Sequence, residues 1–166
     1  AHPMFVNLAT YASLAFISLF IVPWHRLSDL NPWFWVFSLI GGMVGAMGNA
    51  LIIKALETGD LSVLGPINAY KSIVGMLFAF VLLKELPNIW GIAGMALIIG
   101  GSYVVLKQDG QRFSWHLFAQ PAIRYRLLAL LLTGFQAVID KKIISLSDLR
   151  LAFCSWSIFG FLFALI

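Results

Sequence analysis

The chain has 166 residues, of which 61% are hydrophobic and 11% are charged, and its formal net charge is +4. A soluble domain of this length cannot bury so large a share of apolar side chains, so the composition excludes a soluble globular fold and indicates an integral membrane protein. The basic residues are scattered among segment ends, which argues against a nucleic-acid interface and favours lipid headgroups as their partners.

Apolar runs long enough to cross a bilayer recur along the chain, and six of them are predicted to be transmembrane helices. The predicted spans are Met4 to Trp24, Trp33 to Leu56, Leu61 to Leu83, Ile89 to Leu106, Leu127 to Ile144 and Leu151 to Ile166. Short polar turns separate most of these runs, and an α-helix satisfies its own backbone hydrogen bonds in lipid. The expected fold class is therefore all-α, a polytopic transmembrane helical bundle with antiparallel neighbours.

The second run carries a stripe of small residues that ends in a polar one. Gly41, Gly45 and Asn49 recur every four residues and therefore lie on one face of the predicted helix. Small residues let another backbone approach closely, as helix association in membranes requires. Plain packing explains the glycines, whereas Asn49 favours the wall of a polar cavity.

Lys71 lies in the middle of the third run. A rise of about 1.5 Å per residue places its Cα roughly 15 Å into an apolar layer about 30 Å thick. Asn68 precedes it on the same helix face, and Pro66 is expected to kink the helix because proline lacks a backbone donor. An ionisable residue at this depth indicates a binding site, with an anionic substrate group or a counter-carboxylate as partner. The structural alternative is an ion pair that only locks the bundle.

Residues 107–126 form the longest polar stretch and are predicted to be a hinge between two structural units. Within this stretch, Phe113, Trp115, His116 and Phe118 are predicted to form an interfacial segment with aromatic rings at headgroup depth.

The fifth run carries a second polar stripe. Thr133, Gln136 and Asp140 share one face of the predicted helix. Asp140 either lines a cavity or anchors the helix end at the membrane interface, because Lys141 and Lys142 follow it directly. In the sixth run, Trp156 either faces a cavity or packs against lipid.

Signatures of enzymes are missing from the sequence. It contains a single cysteine, no histidine pair at metal-ligand spacing, no phosphate-binding glycine loop and no Gly-x-Ser-x-Gly motif. We therefore predict neither a metal nor a cofactor, and no catalytic residue. A membrane-embedded enzyme acting on lipid would need clustered His, Asp or Glu side chains at the interface.

Residues 50–106 carry loose motifs whose order and spacing are informative, namely Pro66-Ile67, Glu85, Gly91, Gly94 and Gly101. In these motifs the chain resembles the drug/metabolite transporter superfamily, EamA type. The resemblance implies ten helices in two inverted five-helix repeats around a central cavity. Residues 1–106 would then be helices two to five of the first repeat, 107–126 the loop between repeats, and 127–166 the first two helices of the second. We expect both ends of the chain to be cuts in a longer protein.

The sequence therefore predicts a multi-pass transporter of the inner (plasma) membrane. It would move a small organic metabolite by alternating access, coupled to a proton or to an exchanged solute. The predicted substrate-binding residues are Lys71, Asn68, Asn49, Gln136 and Asp140. The expected partners are the small-molecule substrate, with an anionic one as the first choice, and membrane lipids; a homodimer is left open. The alternative function is a non-transporting helical membrane scaffold or assembly subunit, in which Lys71 would tolerate Met or Leu.

Overall fold

The structure, a computed structural model, describes residues 3–108 and 120–165. Within these residues every regular element is helical, which confirms the predicted all-α class. The seven described α-helices are α1 Pro3–Ile21, α2 Pro32–Thr58, α3 Leu61–Ala69, α4 Lys71–Phe78, α5 Ile89–Gln108, α6 Pro121–Leu146 and α7 Leu149–Ala164. The interfacial segment predicted at Phe113, Trp115, His116 and Phe118 lies outside the described residues.

Among the described residues, three stretches are long and apolar enough to cross a membrane: Met4–Ile21, Pro32–Thr58 and Val63–Leu83. Ile89–Val104 and Leu149–Ala164 are shorter apolar helices. The three long stretches coincide with the first three predicted spans, and the two shorter helices coincide with the fourth and the sixth. Within the described residues, the fifth predicted span, in α6, is in neither group.

The helix α6 differs from its predicted span because it begins at Pro121, before Leu127. Arg124 and Arg126 were assigned to the preceding loop because of their charge, yet both lie in the helix. Proline at the first helical position costs no hydrogen bond, so a helix can start there in spite of the polar residues that follow.

The third predicted span is interrupted in its middle. A turn at Tyr70 separates α3 from α4, and the Tyr70 N–H donates to the Ile67 carbonyl at 3.2 Å. Pro66 lies inside α3, one turn before this interruption. Because proline offers no N–H and crowds the turn before it, it weakens the regular hydrogen-bond pattern of a helix. Lys71 is thus the first residue of a new helix.

The chain forms two compact units. The first unit comprises Ala1–Ala50 with Gln136–Ile166, and the second comprises Leu51–Phe135. In the first unit α1 packs along α7, and in the second α3 packs against α5. Both α2 and α6 contribute residues to each unit. The division into repeats at residues 107–126 remains a prediction.

The contact between α1 and α7 in the first unit combines a large ring with small residues. Tyr11 of α1 is fully buried, and its ring lies directly against Gly160 of α7. A side chain at Gly160 would occupy the space of the Tyr11 ring, so glycine is what lets these helices approach. The same two helices also meet at Cys154 of α7, whose Sγ donates a hydrogen bond to the carbonyl of Ser18 in α1 at 3.5 Å.

Asp148 caps α7 and links it to the connection that follows α1. Its Oδ1 accepts a hydrogen bond from the Leu151 N–H at 2.8 Å, which satisfies one of the free donors at the helix start. Its Oδ2 accepts from Arg26 Nη1 at 3.2 Å in an ion pair whose arginine side chain is 61% exposed. Exposed ion pairs contribute about 0–1 kcal/mol, so the cap is the stronger of the two contacts.

We expect Asp148→Ala to lower the free energy of unfolding by about 1–2 kcal/mol, because it removes both the cap and the ion pair. Asp148→Asn keeps an acceptor for the Leu151 N–H and should cost clearly less. Thermal unfolding of the detergent-solubilised protein measures both variants, and equal losses would show that the cap does not stabilise α7.

Candidate functional site

The glycine stripe of α2 is the close-contact surface of the first unit. A Cβ atom at Gly41 would lie 3.2 Å from Ile139 Cγ2 of α6. A Cβ atom at Gly45 would lie 2.9 Å from Gln136 Nε2 and 3.1 Å from Trp156 Nε1. The stripe therefore brings polar side chains of α6 and α7 onto the α2 backbone, which a larger residue would prevent.

A part-buried hydrogen bond joins this stripe to α1. Asn49 Nδ2 donates to Tyr11 Oη at 2.7 Å, between two successive α-helices. The Tyr11 hydroxyl accepts in this contact and keeps its own proton for a further acceptor. The Tyr11 ring also lies 5.4 Å from the Trp156 ring, centroid to centroid.

Trp156 supplies a hydrogen-bond donor that the protein itself leaves unused. Its Nε1 atom is buried and has no hydrogen-bond partner among the described residues. An indole N–H can only donate, and burying such a group without an acceptor costs about 1–3 kcal/mol.

Gln136 and Asp140 lie one turn apart on the face of α6 that meets the stripe. Asp140 Oδ1 lies 3.7 Å from the position of a Cβ at Gly41, and its carboxylate acts electrostatically on the Tyr11 hydroxyl. Because α6 continues to Leu146, Asp140 lies within the helix and not at its end. Gln136 and Asp140 are both half-buried.

We call Tyr11, Asn49, Gln136, Asp140 and Trp156 the polar cluster. It unites three of the predicted site residues in one unit. Tyr11 is an addition that the sequence did not single out, whereas for Trp156 the sequence left a cavity and a lipid-facing position as alternatives. Nothing in the apolar run around Tyr11 distinguishes it from a packing residue, while the serines on both sides of Trp156 are a weak sign of a polar surrounding.

Lys71 and Asn68 lie in the second unit, so the structure does not join them to the polar cluster. Both side chains are exposed, and in the described part of the chain Lys71 makes no ion pair. One turn after Lys71, a Cβ at Gly75 would lie 3.8 Å from the Gly134 carbonyl of α6. Because residues four apart share a helix face, Lys71 lies on the same face of α4 as Gly75.

The start of α4 adds to the positive potential at Lys71. Backbone N–H groups at a helix N-terminus carry a partial positive charge, and a lysine placed there is unfavourable on its own. An anion next to Lys71 would interact with both. Asn68, three residues earlier in α3, offers an amide that both donates and accepts.

The polar cluster and the pair Lys71 and Asn68 contain hydrogen-bonding groups and one positive charge. In residues 3–108 and 120–165, no three His, Cys, Asp or Glu side chains come together as metal ligands would. The polar cluster provides hydrogen-bonding groups, and Lys71 provides a positive charge.

The family model described as the EamA-like transporter family matches residues 1–107. The matched residues include Asn49, Asn68 and Lys71, whereas Gln136, Asp140 and Trp156 lie beyond the match. Comparisons with curated proteins and with solved structures found no match.

Proposed function

Because the chain belongs to the EamA-like transporter family, we propose that it moves a small organic metabolite across the inner (plasma) membrane by alternating access. Transport would be secondary active, coupled to a proton or to an exchanged solute. Transport requires a polar binding site inside an apolar protein. Burying the polar groups of such a site costs free energy unless they form hydrogen bonds, for example to a bound substrate.

The observation that carries the proposal is the unused donor of the polar cluster. Trp156 Nε1 is buried and has no acceptor among the described residues, and the Tyr11 hydroxyl nearby still holds a proton to donate. Both groups would pair with an acceptor of the substrate, such as a carbonyl or carboxylate oxygen. The Asn49 and Gln136 amides would orient it through further hydrogen bonds, and Asp140 would interact with a donor or carry the coupling proton.

Lys71 and Asn68 form the second part of the proposal. An anionic substrate group would be attracted to the Lys71 amine and to the start of α4 together. Transporters of other folds use interrupted helices in this way, because free backbone groups at the interruption contact the substrate. The turn at Tyr70 beside Lys71 is such an interruption.

A flux assay tests the proposal. The full chain is reconstituted in proteoliposomes, and a panel of labelled metabolites with and without an anionic group is screened for uptake and counterflow. Accumulation of at least one metabolite above empty vesicles is expected. No flux with any metabolite, from protein shown to be folded, would favour the scaffold alternative.

Trp156→Phe separates binding from packing at the polar cluster. We expect the apparent KM for the transported metabolite to rise about 3- to 10-fold, because one neutral hydrogen bond to the substrate is lost. The matched control is Trp35→Phe, which removes an indole from a side chain on α2 that is 43% exposed.

The control variant should transport with an unchanged KM. If Trp156→Phe also leaves KM unchanged, its indole N–H does not contact the substrate, and the cluster is only a packing feature.

A further inference from the structure

A cleft lies at one end of the first unit, away from the polar cluster. It has a volume of about 510 Å³ and opens between the connection that follows α1 and the start of α7. The described residues that line it are Pro23, His25, Arg26, Asp148, Leu149 and Arg150. Neither the family match nor the proposed transport assigns a role to this cleft.

The charge of the cleft is positive and only partly compensated. Both carboxylate oxygens of Asp148 are engaged, Oδ1 by the Leu151 N–H and Oδ2 by Arg26 Nη1. Within the described residues Arg150 makes no ion pair, and it lies in the first turn of α7, where the helix dipole adds further positive potential. Planar guanidinium groups pair well with the oxygens of a phosphate, and Arg26 and Arg150 both line this cleft.

The surroundings place the cleft at the level of lipid headgroups. It lies where the apolar helix α1 ends and α7 begins, and Trp24 and Trp33 nearby in sequence are 63% and 61% exposed. Exposed tryptophans at helix ends are typical of the boundary between hydrocarbon and headgroups. Phe20 and Leu149, 78% and 70% exposed, continue from this level as apolar surface on which an acyl chain can lie.

We propose that this cleft binds the phosphate of an anionic phospholipid headgroup, held between Arg26 and Arg150. The bound lipid would rest its acyl chains against exposed apolar residues such as Phe20 and Leu149. A free phosphate offers the same anion but gains nothing from this apolar surface, which is why the structure favours the lipid. The inference requires a membrane protein but does not depend on the transported substrate.

Native mass spectrometry of the purified full chain with phosphatidylglycerol or phosphatidylcholine tests the proposal. The wild type is expected to retain phosphatidylglycerol in preference. In the variant with Arg26→Gln and Arg150→Gln, this preference should fall roughly 25-fold, because each basic residue near an anionic lipid surface contributes about a fivefold gain in binding. The matched control combines Lys84→Gln with Lys142→Gln, which removes equal charge from exposed positions outside the cleft.

An unchanged preference in the arginine variant, or an equal loss in the lysine control, would overturn the assignment of the cleft. Excess inorganic phosphate in the same sample should leave phosphatidylglycerol bound; its displacement would show that the cleft takes a soluble anion and overturn the lipid assignment. Arg150→Gln alone breaks no described ion pair, so it tests the site even if the double variant does not fold. The preference of this single variant for phosphatidylglycerol should fall about fivefold. An unchanged preference would contradict the proposal.

Discussion

Lys71→Met is expected to reduce the rate of solute flux in proteoliposomes by about 10- to 150-fold while leaving the amount of folded protein unchanged. Hydrogen bonds and ion pairs to a charged group are each worth about 1.5–3 kcal/mol, and methionine keeps the length of the lysine side chain without its charge. Lys71 is exposed and the described residues give it no ion pair. Removing its charge should therefore cost function and not stability.

Two comparisons make this prediction specific. Lys142→Met removes an exposed charge from α6 in the first unit and should transport normally. Lys71→Arg keeps the charge with a different geometry, so partial activity is expected if the substrate is anionic. Normal flux in Lys71→Met would remove Lys71 from the binding site and support the scaffold function, in which this position tolerates an apolar residue.

Gly42→Ala is expected to destabilise the first unit by about 1–3 kcal/mol, the usual cost of overpacking a close contact. The new Cβ atom would contact Phe159 Cβ and lie 2.9 Å from the Phe159 carbonyl carbon. It would also lie 3.1 Å from the Gly160 backbone nitrogen. Because backbone atoms are involved, a change of side-chain rotamer cannot relieve the contact, and α2 and α7 must separate.

The matched control is Gly94→Ala on α5, where a Cβ atom would meet nothing within 4 Å. Alanine favours the helix over glycine by up to about 1 kcal/mol, so this variant should melt at the same temperature or higher. Thermal unfolding in detergent, followed by circular dichroism, measures both variants. If Gly42→Ala melts like Gly94→Ala, the helices of the first unit are less closely packed than the structure indicates.

The polar cluster shows how far sequence patterns reach in a membrane protein. Asn49, Gln136 and Asp140 could be singled out because a polar residue on an apolar helix needs a reason wherever it lies. Tyr11 could not, and the position of Trp156 stayed open, because an aromatic residue in an apolar run is equally suited to a lipid-facing surface. Their role became visible only from the partners they contact, or lack, on other helices.

The interrupted third span illustrates the same limit at the level of the backbone. Pro66 predicts that the helix is disturbed, but proline alone does not determine at which residue the helical hydrogen bonds are interrupted. In the structure the turn falls at Tyr70, which makes Lys71 the first residue of α4. The positive end of a helix dipole thus coincides with a lysine, an arrangement that no spacing in the sequence specifies.

The local sequence determined the helical fold class and the approximate positions of the apolar spans. A segment that crosses a bilayer must be apolar over a certain length, and its backbone hydrogen bonds must be made within the segment. Both properties depend on consecutive residues. Only the packed structure decided which helix faces meet. The packing of α1, α2, α6 and α7 depends on contacts between residues far apart in the chain. The hydrogen bond of Asn49 with Tyr11 and the unpaired indole N–H of Trp156 result from this packing, which local sequence patterns do not encode.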